Sequence, residues 1–137
     1  MTLTTKIRTG RHCVFSMHVH LVFVTKYRKK IFKHLHLQHM HEIFKSVCDS
    51  FDTELVEFNG EYDHVHLLVH YTPKTTISKL TNSLKGVSSR YLRKNFQDIS
   101  KYYWNGTLWS PSYFAGSCGG APIEVVKRYI EGQKTPA

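Results

Sequence analysis

Val14-Phe15-Ser16-Met17-His18-Val19-His20-Leu21-Val22-Phe23-Val24-Thr25 alternates along its length, and that alternation governs how the rest of the chain is read. Phe15, Met17, Val19, Leu21 and Phe23 share one side; Ser16, His18, His20, Val22 and Val24 share the other. A period of two marks a β-strand with one face on a core. Beyond it a basic segment, Lys26-Tyr27-Arg28-Lys29-Lys30, leads into Leu37, Met40, Phe44, Val47 and Phe51, whose spacings of three and four make one apolar helix face. Glu54 to Phe58 reads as a second strand, Asn59-Gly60 as a two-residue hairpin, and about Tyr62 to Tyr71 as a third strand. After Pro73 a second helix puts Ile77, Leu80, Leu84, Val87 and Tyr91 on one stripe, with Lys79, Lys85, Arg90, Arg93 and Lys94 elsewhere around it. Residues 95–111 read as irregular and aromatic, including Phe96, Tyr102, Tyr103, Trp104 and Trp109. Tyr113 to Ser117 reads as a fourth strand. Gly119-Gly120 then breaks the chain before a final helix with Pro122 in its first turn, where a missing N–H is tolerated.

The order β-α-β-β-α-β plus a terminal helix predicts an α+β, ferredoxin-like (RRM-like) antiparallel sheet with helices on one face. The C-terminal helix carries Tyr129. Its first and third strands are then central neighbours. At 137 residues, without an internal linker, one domain over 1–137 is expected. The composition, 41% hydrophobic and 13% aromatic, excludes a mainly disordered chain. Nineteen Lys+Arg against ten Asp+Glu give a formal charge of +9, which favours a polyanionic partner. Cys13, Cys48 and Cys118 are odd in number and far apart, which suits reduced thiols in a cytoplasmic protein rather than a disulfide framework. The N-terminal MTLTTKIRTGRHC lacks the apolar core of a signal peptide, and apolar stretches such as Leu21–Val24 are too short to cross a bilayer, so no membrane partner is expected.

Two constellations can carry chemistry. In Asp63-His64-Val65-His66, alternation projects His64 and His66 from one face, about 7 Å apart along the strand, close enough to converge on one divalent ion. A strand with a wet polar face would show the same pattern. His18-Val19-His20 competes with the same spacing, and periodicity does not choose between the pairs; His70 shares the face but lies roughly 13 Å from His66. In the final helix, Ile123, Val126 and Ile130 form a packing stripe, while Tyr129 and Gln133, four apart, stack on one face. That places a phenol beside an amide oxygen. A phenol with the usual pKa of about 10 needs a metal or base to become a nucleophile. A tyrosine that merely packs at the edge of the core is the plain alternative.

HLVFVTKYRKKIF (20–32), DHVHLLV (63–69), LKGVSSRYLR (84–93) and VVKRYIEGQ (125–133) together resemble the single-tyrosine HUH transposases of the IS-200/605 insertion-sequence group. The order and separations are similar, the resemblance runs from about residue 11 onward, and no matched catalytic position departs from the pattern. The resemblance implies a metal site of His64, His66 and Gln133 holding Mg²⁺ or Mn²⁺, with Tyr129 as nucleophile. His18 and His20 fall to a DNA-facing or structural role. It implies cleavage and rejoining of single-stranded DNA, especially at hairpins near element ends, through a 5′-phosphotyrosine and without ATP. It also implies a homodimer in which the final helix, about 121–133, moves or is exchanged, with Gly119-Gly120 placed as a hinge. Lys26, Arg28, Lys85 and Arg90 are the expected DNA contacts. Asp63 is a candidate to orient a histidine, although strict alternation points it to the opposite face. Three other readings compete. A domesticated relative would process repeated chromosomal hairpins, and would differ in genomic neighbourhood. A non-catalytic RNA-recognition-like module would need aromatics where His18, His20, His64 and His66 stand. A histidine-rich storage protein leaves Tyr129 and Gln133 unexplained.

Overall fold

The computed structural model describes residues 7–10, 12–103, 105–117 and 123–133. A small hairpin, β1 (Arg8–Thr9) and β2 (Val14–Phe15), precedes β3 (Met17–Val24), a 3-10 turn (Lys26–Arg28) and α1 (His34–Ser50). Then come β4 (Glu54–Gly60), β5 (His64–Tyr71), α2 (Ile77–Asn95), the short α3 (Gln97–Ser100), β6 (Phe114–Ser117) and α4 (Ile123–Glu131). The four long strands form one sheet in the order β4-β5-β3-β6, every pair antiparallel. This is the expected ferredoxin-like arrangement, with the first and third of these strands side by side at the centre. Gly119, Gly120 and Pro122, and with them the expected hinge and helix start, lie outside the described residues, as do Trp104 and Cys118.

The alternation of β3 and β5 divides the molecule. Val19, Leu21 and Phe23 with Val65, Leu67 and Val69 are buried against Met40, Phe44 and Val47 of α1 and Leu80, Leu84 and Leu92 of α2. Phe23 meets Phe44 and Trp109 edge-on, with centroids 6.1 and 5.7 Å apart, the geometry aromatic quadrupoles favour. The buried side of α2 is rotated from the expected stripe: Ser88, Ser89 and Leu92 are buried while Tyr91 is exposed. The cause is the loop before β6, which packs onto the helix. Ser88 Oγ accepts from Trp109 Nε1 (3.0 Å) and Ser89 Oγ accepts from the Leu108 amide (3.1 Å), so two small polar residues leave space for the loop and satisfy its donors.

The β4–β5 reversal corrects the expected hairpin. Asn59 and Gly60 stay in the ladder opposite His66 and Val65, and the chain turns at Tyr62-Asp63, where the Glu61 amide donates to the His64 carbonyl (2.8 Å). Gly60 serves a different need: a Cβ there would collide with Cδ2 of Leu37 on α1. The glycine marks close approach of a helix to the sheet rather than a turn.

The other sheet face carries the histidines. At one end His18 and His70 lie opposite one another with rings stacked at 4.2 Å. The β1–β2 hairpin closes over that end through the Phe15 ring and an Arg8 bond to the His70 carbonyl (3.1 Å). Among the described residues no helix is long and apolar enough to cross a membrane, and Cys13 and Cys48 are free thiols.

Candidate active site

At the opposite end of that face, His64 and His66 project from β5 into a cavity of about 680 Å³, together with His20 of β3. α4 forms the far wall with Val126, Lys127, Ile130 and Glu131. His64 Nδ1 is 2.8 Å from the Asp63 carboxylate. With Nδ1 as the protonated nitrogen, the His64 Nε2 lone pair remains for a ligand. Asp63 reaches it because it sits in the turn before β5 begins, outside the strand whose alternation would have turned it away.

His66 Nε2 and His20 Nδ1 are 2.9 Å apart with their rings stacked, so one proton is shared between them and an ion would compete with His20 for this nitrogen. Burial lowers the pKa of both rings; for His66 the neighbouring His20 pushes the same way while Glu57 opposes it. Both are therefore held as neutral imidazoles, the form that donates to a metal. His20 thus touches the site, whereas His18 is buried beside His70.

Arg28 reaches the same cavity, its Nε 3.5 Å from the second Asp63 oxygen. It arrives by a strained path: Tyr27 and Arg28 have φ of 64° and 53°, a left-handed conformation costing each non-glycine residue on the order of 1–3 kcal/mol. The surroundings enforce it. The Lys26 amide donates to the Leu108 carbonyl (2.9 Å), the Lys26 carbonyl accepts from Tyr103 Oη (2.5 Å), and the Thr25 amide donates to the Asp63 carbonyl (2.9 Å).

Tyr129 and Gln133 share a face of the final helix, as their spacing requires, but that face is turned toward β6 and the loop before it. Tyr129 Oη is 2.8 Å from Ser112 Oγ and its ring is 5.9 Å from that of Phe114. Gln133 Oε1 accepts from Ser110 (2.9 Å) and Ser112 (3.3 Å). Among the described residues no hydrogen bond or ring contact joins Tyr129 or Gln133 to His64 or His66, and no three His, Cys, Asp or Glu side chains are grouped to hold a metal. His64 and His66 stand at the cavity, while the amide and the phenol are held at Ser110 and Ser112. Burial raises the Tyr129 pKa, partly offset by Ser112, so the docked phenol stays protonated. The Ser110 and Ser112 dock carried no sequence signal.

The four cations expected at DNA have different surroundings. Lys26 Nζ lies 5.6 Å from the Tyr27 ring centroid, and Arg28 is at the cavity as described. Arg90 is exposed on α2 near Gly86. Lys85 is committed elsewhere: its ammonium donates to the carbonyls of Ser110 (2.7 Å), Ser112 (3.1 Å) and Pro111 (3.4 Å), and burial lowers its pKa.

Comparison with known proteins sets this site in context. The family described as "Transposase IS200 like" matches residues 13–133. The chain belongs to that family. It is 28% identical over 131 residues to the ISDra2 transposase TnpA of Deinococcus radiodurans, covering 96% of this chain and 94% of that one. The transposase for insertion sequence element IS200 of Salmonella typhimurium is 27% identical over 126 residues, covering 90% of this chain and 83% of that one. A Deinococcus radiodurans crystal structure described as that of a transposase superposes with a TM-score of 0.86 at 29% identity, over 94% of this chain and 99% of that one. A REP-associated tyrosine transposase bound to a REP hairpin superposes at 0.53 with 9% identity, over 90% of this chain and 68% of that one, and shares the fold alone. Membership in this transposase family supports DNA transposition as the activity.

Proposed function

We propose that this transposase cleaves and rejoins single-stranded DNA at insertion-sequence ends, with Tyr129 as nucleophile and His64, His66 and Gln133 as donors to Mg²⁺ or Mn²⁺. The observation that carries the reading is one cavity with the imidazoles of His64 and His66 on its floor, covered by the helix that bears a tyrosine and a glutamine four residues apart. Asp63 fixes the ring of His64, and Arg28 supplies positive charge beside it for a phosphate. Bound there, a divalent ion would draw charge from the non-bridging oxygens of the scissile phosphate.

Tyr129 Oη attacks phosphorus, forming a P–O bond to the phenol and breaking the bond to the 3′ oxygen. The phenol gives up its proton and the leaving 3′ oxygen gains one. A 5′-phosphotyrosine and a free 3′-OH result. A later 3′-OH attacks the same phosphorus, releasing the tyrosine and sealing a new phosphodiester, so bond energy is conserved and no nucleotide cofactor is consumed.

For this to happen the Tyr129 face must leave Ser110 and Ser112 and meet the histidines, by relocation of α4 within the protomer or from a second copy in a homodimer. The hydrogen bonds to release are neutral ones worth about 1 kcal/mol each. The test is incubation with single strands carrying candidate element ends and Mg²⁺, followed by denaturing electrophoresis. A denaturant-resistant protein–DNA adduct is expected, lost in Tyr129→Phe. An adduct that persists in that variant overturns the nucleophile. His64→Ala should lose cleavage while retaining DNA binding.

A further inference from the structure

A second, larger cavity of about 800 Å³ lies beside the histidine cavity, and the two share Lys30, Glu61 and Tyr62 in their walls. We propose that it is the track along which single-stranded DNA approaches the histidines, with Tyr62 and Tyr102 stacking bases and Lys29, Lys30 and Lys101 holding phosphates. The inference deepens the reading above, on which its choice of single-stranded DNA rests.

Three observations converge. Tyr62 and Tyr102 are 65% and 47% exposed, so two large rings stand in water along one groove. Lysine ammonium groups already flank one of them: Lys29 Nζ and Lys101 Nζ lie 5.3 and 5.1 Å from the Tyr102 centroid. A base that displaces either one brings its own phosphate to the displaced ammonium. Finally, the acids of the groove do not cancel this charge. Asp98 is engaged by His36 (3.1 Å) and Lys33 (3.8 Å), leaving Glu61 opposite Lys29, Lys30 and Lys101. Exposed aromatics interleaved with lysines make a platform that every base can use and a backbone track that reads no sequence. Continuity through Tyr62 is what joins the track to the histidines.

The experiment is fluorescence anisotropy of the full chain with labelled oligo-dT and with a duplex of equal length, across a salt series. The double variant Tyr62→Ala/Tyr102→Ala should bind oligo-dT at least about tenfold more weakly, with duplex binding unchanged. Tyr62→Trp/Tyr102→Phe should restore binding. Lys29→Ala/Lys101→Ala should reduce the slope of log K against log salt by about 1.4, since each single-strand phosphate contact contributes about 0.7. Tyr62, Tyr102 and Lys101 are exposed and Lys29 is half-buried, and a melting curve verifies that each variant is folded. Unchanged oligo-dT affinity, or an equal loss on duplex, overturns the track. The covalent reading fails separately. If the native chain forms no adduct while the tyrosine variants lose oligo-dT binding, the track stands and the nucleophile falls. If Tyr129→Phe loses the adduct while the tyrosine variants bind normally, the track falls and the nucleophile stands.

Discussion

Replacing Lys85 by methionine keeps a stem of similar length and removes the ammonium shared by the carbonyls of Ser110, Pro111 and Ser112. A hydrogen bond to a charged group contributes about 1.5–3 kcal/mol, but three acceptors around one ammonium do not add. Pro111 and Ser112 are exposed, so water replaces the lysine there. Ser110 is half-buried and makes the shortest bond, 2.7 Å, so most of the loss falls on it. The pKa lowered by burial shows that desolvation of the ammonium offsets part of the gain, which puts the net loss at the lower end, about 2 kcal/mol. For a domain of this size that corresponds to a fall of about 8 °C in Tm. Circular dichroism melting at neutral pH reads the stability, and anisotropy with oligo-dT across a salt series reads the DNA contact. Lys85→Met should melt earlier with an unchanged salt slope. A variant with the native Tm and a slope reduced by about 0.7 would make Lys85 a phosphate contact and refute this account of it.

Gly60→Ala should destabilise by about 1–3 kcal/mol, because the added methyl meets Leu37; combining it with Leu37→Ala should give less than the sum of the two losses in urea unfolding, and strict additivity would separate the residues. Asp63→Asn should weaken Mn²⁺ binding roughly 10–100-fold in an electron paramagnetic resonance titration, since the acceptor of His64 Nδ1 loses its negative charge; unchanged affinity would deny the Asp63 carboxylate a positioning role. Burial pushes the Tyr103 phenol up to about 12. An acid with a raised folded-state pKa contributes stability that is complete below its unfolded value of about 10 and is lost as pH rises through the folded value. Unfolding free energy should therefore drop by about 2–3 kcal/mol across that alkaline window. Tyr103→Phe should flatten the drop, and an unaltered pH profile would count against it.

The sheet and its two main helices were legible because alternation and three-four spacing report which face meets a core, and burial enforces them. Val19, Leu21 and Phe23 had no other place to go. Legibility failed where one residue type answers to two causes. Gly60 after Asn59 carries the usual hairpin signal, yet the same absence of a Cβ is what Leu37 requires, and a packing contact distant in sequence leaves no mark on local spacing. Ser88 and Ser89 fall outside the expected apolar stripe of α2, yet their hydroxyls are the partners that Trp109 Nε1 and the Leu108 amide need to be buried.

The site divides along the same line. Alternation sufficed to put His64 and His66 together and to bring His20 to them, because neighbouring strands make their outward faces one surface. It did not settle Asp63, since a rule for strands was extended one residue past the strand's end, into a turn where the side chain is free to come back. Nor does helical periodicity fix where Tyr129 points. It states that Tyr129 and Gln133 share a face and that Val126 and Ile130 lie on another, and the structure keeps both statements. Which face meets the histidines is then a contest between burying Val126 and Ile130 over the cavity and presenting a phenol and an amide there. In the structure the apolar face holds that position, and Ser110 and Ser112 satisfy the polar one. Apolar burial is worth about 0.8 kcal/mol per methylene group, against roughly 1 kcal/mol for each neutral hydrogen bond. The observed placement of α4 keeps both terms, with its apolar residues against the cavity and its polar ones against Ser110 and Ser112.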